Sequence, residues 1–429
     1  MSASVGVALV PDLIYYCNNL GLINRIAEGE EMNELAMFRN GHIRRRELLQ
    51  MAALAAAGPA TLASSGTPAR AAQPKEIFAY VGAFTTPERK GHGDGINIYR
   101  MDPRTGAWAH VQLVSNNVNP SFLAVDRQQQ FLYSVHADLD EVSAYAIDKA
   151  SGQLTPLNKQ SCGGKNPVHL SLDPSNRYIV TANYTAGSVG VVPIEQDGSL
   201  GPRTDLVTLT GDPGPNRKEQ TGSHPHNCAF DPAGRFIVVP DKGLDRIFVF
   251  RLHAATGKLM ANNPPSVATR EGAGPRHVAF HPSLPCAYVI NELGSTMTTY
   301  RYDAARGVLE PAQVLPTTPS TFTGNNTGAE VAVAPSGRFV YGSNRGHDSI
   351  VIFTVDRANG TLTAVDWVST QGKTPRFFAL DPTANFLYAA NQDTDTVVTF
   401  RVNQRNGRLT PTGQIVKVGS PCTIVFTGA

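Results

Sequence analysis

At 429 residues the chain is long enough for two or three domains of about 150 residues each, and with 41% apolar and 17% charged residues it can fill a large core. That balance excludes a disordered chain and a polytopic membrane protein. The 37 basic and 35 acidic residues leave a net charge of +2 with only very short basic runs, which excludes a nucleic-acid footprint and makes recruitment of a partner by charge alone unexpected. The 39 glycines and 30 prolines, about 16% of the chain against roughly 12% in average usage, fall in short clusters along the whole length. Such punctuation marks many tight turns.

The first 36 residues share no pattern with the rest of the chain and read as an extension upstream of a start at Met37. From Met37 a basic stretch carries Arg39, Arg44, Arg45 and Arg46, then Leu48 and Leu49, a weakly apolar run from Met51 to Leu62, and Ala69-Arg70-Ala71 in an A-x-A cleavage pattern. The order Arg45-Arg46-x-Leu48-Leu49 predicts a twin-arginine signal over 37–71, and hence export by that machinery to the periplasm or outside the cell. Without that signal the protein would stay in the cytoplasm. The apolar run is too short and alanine-rich for stable membrane insertion. Cys162, Cys228, Cys286 and Cys422 then meet an oxidising compartment, but no C-x-x-C or Cys/His ligand spacing links them, and they read as single buried thiols.

From Ala72 onward one unit recurs. Its copies read NPSFLAVDRQQQFLYSV, NPVHLSLDPSNRYIVTAN, HPHNCAFDPAGRFIVVPD, GPRHVAFHPSLPCAYVIN, TGAEVAVAPSGRFVYGSN and TPRFFALDPTANFLYAAN. Their landmarks Pro120, Pro167, Pro225, Pro275, Gly328 and Pro375 are spaced by 47, 58, 50, 53 and 47 residues, and Pro421 lies 46 further on. Each copy continues into another strand and a Gly-x-Leu turn, such as Gly152-Gln153-Leu154 or Gly360-Thr361-Leu362. Four short alternating strands per unit describe a propeller blade. The seventh copy offers only its inner strand, SPCTIVF, while IFAYVGAF and GINIYRM near the start of the mature chain offer the missing outer ones. The expectation is all-β: one seven-bladed β-propeller over 72–429, its ring closed by strands from both ends of the mature chain, which removes the last open edges.

Inner strands line a propeller's channel, so positions just after each landmark are informative. One residue after stand His226, Arg276 and Arg376, and two residues after stand His169, Asn227, His277 and Glu330. The loops after each second strand add His136, Asp241, Glu292 and Arg345 to the same rim. Histidines, arginines and carboxylates around one concave mouth suit an anionic substrate and general acid/base work. The Tyr-x-x-Asn asparagines, and Asp173, Asp231 and Asp381 before proline, read as turn formers, and His253 and His281 as surface residues. There is no G-x-S-x-G, G-x-x-x-x-G-K-[ST], H-E-x-x-H or strand-linked G-x-G-x-x-G, so the sequence implies no cofactor and no metal. His224-Pro225-His226 without a nearby carboxylate is weak as a metal pair.

At HPHNCAFDP, GPRHVAFHP, VINEL and SNRGHDSI the chain resembles the lactonase family of seven-bladed propellers, which includes bacterial 6-phosphogluconolactonase and the fungal carboxy-muconate lactonizing enzymes. The likeness spans about residues 77–427, and it implies a carboxylic ester hydrolase of carbohydrate metabolism that opens a sugar lactone to its aldonic acid. Carried over by motif, the site residues are His226, Arg276 and Glu292 as catalytic groups, with Arg345 beside them. On the rim reading, Arg345, His277, Glu330 and Arg376 bind substrate. Ring closure of a muconate, or binding without catalysis, are the other activities such a site can support. Fractionation of cells with antibody to the propeller should show a precursor and a shorter periplasmic form; full-length protein confined to the cytoplasm would contradict export.

Overall fold

The computed structural model describes residues 76–428; the expected extension at 1–36 and signal at 37–71 lie outside them. Seven four-stranded antiparallel sheets surround an axis. Numbered from the landmarks, blade 1 runs outward through Pro120–Val125, Phe131–His136, Glu141–Ile147 and Leu154–Ser161, and blades 2 to 6 repeat that order. In blade 7 the inner strand Pro421–Thr427 pairs with Ile77–Ala83, which pairs with Gly95–Met101 and then Trp108–Ser115. Tyr80 lies opposite Val425 in that closing ladder, so the ring is shut as the repeat phase predicts.

The core lies between the blades, in seven main apolar clusters that each combine residues of two neighbours. One joins Ile77, Ala79 and Ile424 of blade 7 to Phe386, Tyr388 and Val397 of blade 6. A repeated clamp locks these layers. The glycine of each Gly-x-Leu turn, or Gly106 in blade 7, sits on the residue that opens the second strand of the preceding blade: Gly152 on Phe78, Gly198 on Phe131, Gly307 on Phe236 and Gly407 on Phe339. In five of the seven junctions a buried tyrosine two residues further along bonds the glycine carbonyl, as Tyr80, Tyr133, Tyr288, Tyr341 and Tyr388 do at 2.9–3.0 Å. Gly152 shows why glycine is needed, because its φ is +75° and a Cβ there would lie 2.3 Å from the Phe78 ring.

Two local expectations change. Blade 3, expected to carry a full inner strand, has only Ala229–Phe230 in its ladder, helped by one bridge between Pro225 and Asp241. The Cys228 N–H turns to His169 Nδ1 of the neighbouring blade at 3.3 Å, and Pro240 in the facing strand supplies no N–H. His281, expected at the surface, is buried at 4% exposure. Its Nε2 pairs with the Gly337 carbonyl at 2.8 Å while Nδ1 accepts the Leu284 N–H, so it links two blades. His253 is exposed and the four cysteines are free and buried. Asp173 caps its turn by accepting the N–H groups of Arg177 and Tyr178, both at 2.7 Å.

The clamp predicts a graded response in chemical denaturation. Tyr388→Phe should cost about 1 kcal/mol, from the unpaired Gly106 carbonyl. Gly106→Ala should cost about 2 kcal/mol or more, because it adds left-handed strain to a clash with Phe386. Equal and negligible losses would contradict the clamp.

Candidate active site

Antiparallel pairing places the start of each inner strand beside the end of the second strand. Pro275 lies opposite Asn291 and Pro375 opposite Asn391, so Arg276 and Arg376 share a rim with the residues after those asparagines. The register slips immediately after the landmark in blades 1, 2, 4, 5 and 6. Such bulges re-aim a side chain, and here they take Arg276 and Arg376 out of the ladder.

The rim encloses a cavity of about 190 Å³ bordered by Arg89, His226, Lys242, Glu292, Arg345 and Arg376, with Tyr184 and Asn166 at its side. Glu292 is its hub. Oε2 lies 3.1 Å from Arg345 and 3.1 Å from Arg276 Nε, and Oε1 lies 3.2 Å from Lys242 Nζ. The Arg276 Nε contact is an ion pair without hydrogen-bond alignment, and that guanidinium anchors through Nη1 on the Ala329 carbonyl at 2.7 Å. Lys242 also pairs with Glu219 at 3.0 Å and lies over the Tyr184 ring. Burial works against the Glu292 carboxylate, but Arg345, Lys242, Arg276 and Arg376 outweigh it and hold its pKa far below the ordinary range.

Charge at this mouth is unbalanced. Arg89 is paired with Asp138 at 2.6 Å, whereas Arg376 has no carboxylate partner among the described residues and lies over Phe84. Five cations, Arg89, Lys242, Arg276, Arg345 and Arg376, thus face three carboxylates, Asp138, Glu219 and Glu292. Burial and Arg345 lower the Arg376 pKa to about 10, and burial with Arg345 and Arg376 lowers that of Arg276 to about 9, so both stay cationic at neutral pH. The excess positive charge calls for an anion.

His226 borders the same cavity with a neutral ring. Burial first, then the charges of Arg276 and Arg376 among others, hold its pKa well below normal. Its Nδ1 lies 3.3 Å from His277 Nε2, and its Nε2 has no hydrogen-bond partner among the described residues. His277 Nδ1 in turn lies 3.0 Å from Glu330 Oε2.

The seven residues expected from sequence are therefore sorted by depth. His226, Glu292, Arg345 and Arg376 line the cavity, and Arg276 lies beneath it, touching Glu292. His277 and Glu330, expected to bind substrate, instead border a second cavity of about 450 Å³ toward the other end of the channel, with His169 and Asn227. Lys242, Tyr184, Arg89 and Glu219 were not anticipated. Two of them were legible, since Lys242 and Tyr184 occupy the repeat position of Glu292 and Arg345, one residue after Asp241, Asn183, Asn291 and Asn344 respectively. Arg89 and Glu219 carried no such signal. Arg89 sits in a short turn, Pro87–Arg89, and Glu219 lies in the loop that lengthens the interval between Pro167 and Pro225 to 58 residues.

A closed seven-bladed ring with an arginine-rich polar cleft at one channel mouth defines a seven-bladed β-propeller with a cationic cleft. The sequence profile described as "Lactonase, 7-bladed beta-propeller" matches residues 78–426, and the chain belongs to that family. It is 38% identical over 305 residues to the 6-phosphogluconolactonase of Bacillus subtilis, covering 71% of this chain and 84% of that one. Another 6-phosphogluconolactonase, from Formosa agariphila, is 30% identical over 315 residues, covering 70% and 85%. Among solved structures, the periplasmic gluconolactonase of Pseudomonas aeruginosa superimposes with a TM-score of 0.77 at 30% identity, over 82% of this chain and 99% of its own.

Glu292→Gln keeps the shape but removes the one carboxylate facing three buried or half-buried cations, and should cost about 3–5 kcal/mol in urea unfolding at pH 7. Because the folded pKa of Glu292 lies below its unfolded value of about 4.3, the wild-type advantage is complete above that value and shrinks as pH falls. A loss that does not depend on pH would contradict this account.

Proposed function

We propose that the protein hydrolyses a sugar lactone to its aldonic acid by general acid/base catalysis with arginine stabilisation of the developing anion. The observation that carries this reading is the neutral His226 bordering a cavity that Arg89, Lys242, Arg345 and Arg376 also line. His226 Nε2 takes a proton from the attacking water and returns it to the leaving ring oxygen. Arg276, buried and fixed through Ala329, stabilises the tetrahedral oxyanion or the nascent carboxylate. Glu292 is held too acidic to donate a proton, and its part is to gather Arg276, Lys242 and Arg345. Arg345 and the unpaired Arg376 receive a phosphate or carboxylate, where a guanidinium fork gives orientation. No step requires a metal or a covalent intermediate.

Two relatives bear on the substrate in different ways. The name of the Bacillus subtilis protein points to a phosphorylated lactone, and that of the Pseudomonas aeruginosa protein to an unphosphorylated one met outside the cytoplasm. The latter agrees with export by the twin-arginine machinery, which we propose for this chain from its Arg45-Arg46 segment. Proton release from glucono-δ-lactone and its 6-phosphate, above the spontaneous rate, tests both. Acceleration of neither would favour a binding propeller, and an ultraviolet change with a muconate would favour the cycloisomerase. With the accelerated lactone, His226→Ala and Arg276→Ala should each lower turnover by about 10²-fold or more; a wild-type rate in either variant would remove that residue from the mechanism.

A further inference from the structure

His277 and Glu330 are buried ionisable groups that the steps above do not use, and they connect two cavities. Glu330 Oε2 lies 3.0 Å from His277 Nδ1, and His277 Nε2 lies 3.3 Å from His226 Nδ1. One end of this chain of atoms, His226, borders the substrate cavity, and the other, Glu330, borders the larger cavity toward the other end of the channel. Glu330 is held in place, since Oε1 accepts the Val331 N–H at 2.9 Å, and both of its oxygens lie beside His277 Nδ1, Oε2 at 3.0 Å and Oε1 at 3.1 Å.

We propose that Glu330 and His277 form a proton relay with His226, in which the position of one proton decides whether His226 meets the substrate as a base or as an acid; the proposal rests on the lactone-hydrolysis reading. With Glu330 ionised, His277 Nδ1–H donates to it, His226 Nδ1–H donates to His277 Nε2, and His226 Nε2 carries a bare lone pair. As water forms its bond to the carbonyl carbon, Nε2 takes the water proton. The Nδ1 proton of His226 passes to His277 Nε2, the Nδ1 proton of His277 passes to Glu330 Oε2, and the carbonyl electron pair moves onto oxygen. On collapse the ring C–O bond breaks, and the same transfers in reverse deliver a proton from His226 Nε2 to the ring oxygen. Neither imidazole becomes charged at any stage.

The surroundings favour such an exchange of tautomers over an imidazolium. Facing the two rings are Arg276 and Glu292 of blade 4, Arg345 of blade 5, Arg376 of blade 6, Lys242 of blade 3, Arg89 and Cys422 of blade 7, and His169 of blade 2. Burial and these cations push both histidines well below their ordinary pKa. Burial raises Glu330 to about 8, against Arg276 and the Val331 N–H, which suits a carboxyl that both takes and gives a proton near neutrality.

Glu330→Gln tests the relay. With the amide oxygen on the Val331 N–H, the NH₂ takes the nearer Oε2 place at 3.0 Å from His277 Nδ1, and a donor there holds His226 with Nε2 protonated. Histidine ¹⁵N shifts in the purified wild-type protein, followed across roughly pH 6 to 10, should show His226 losing its Nε2 proton and gaining one at Nδ1 as pH rises through about 8, without imidazolium shifts. The variant should keep Nε2 protonated throughout. Its kcat should fall about 10²-fold with KM within about twofold, and the alkaline rise in kcat should vanish. A single His226 tautomer across the wild-type titration would overturn the relay, as would a variant with wild-type kcat and pH profile. The wild-type titration decides the matter even if the variant does not fold. It also needs no lactone, so absence of turnover would count against the proposed function and not against the relay.

Discussion

A glycine turn in one blade, seated on the second strand of the blade before it, is the contact on which the rest of this molecule depends. Each blade alone is a four-stranded sheet with two apolar faces and can bury neither by itself. The junctions bury both. The Gly-x-Leu turn sets the distance between neighbouring sheets, and in five junctions a buried tyrosine hydroxyl ties them together by donating to the glycine carbonyl. Phe78 and Gly152 apply that rule between blades 7 and 1, although Phe78 belongs to the first strand of the ring and Pro421–Thr427 to the last.

That rigid spacing is what allows charge to be concentrated at the mouth. Arg276, Arg345, Arg376 and Lys242 come from four different blades and would not stay together in a flexible chain. Bulges after the landmarks release the inner-strand arginines from the ladder, and Glu292 compensates three of the four cations at once. The leftover positive charge is an electrostatic cost borne by the clamped ring. Such a cost is in keeping with the tension between stability and function at active sites.

The fold was legible because its signal is repeated. Seven landmarks, six Gly-x-Leu turns and a consistent strand phase reinforce one another, so the ring and its closure emerge without any single position being decisive. The same phase pointed to His226, Arg276, Glu292, Arg345 and Arg376. Depth was not legible: His277 occupies the same repeat position as His169 and Glu330, and nothing in the sequence says that these three border the second cavity while Arg276 lies against Glu292. Lys242 was within reach of the same phase, since it stands one residue beyond Asp241, itself a rim candidate. His281 was misplaced because an outer turn is solvated in most folds, whereas here it is pressed between blades by the Gly337 carbonyl. Arg89 and Glu219 belong to loops outside the repeat, where pattern carries no information.

Closure by Pro421–Thr427 has a consequence for the order in which the molecule becomes competent. On a ribosome, Ile77–Ala83 emerges early and waits for its partner while six blades are made. Cys422, beneath the Arg376 side of the cleft, is supplied by that last strand. A chain interrupted near its end would therefore keep almost all of its blades yet leave Ile77–Ala83 as an unpaired edge above an unfinished floor.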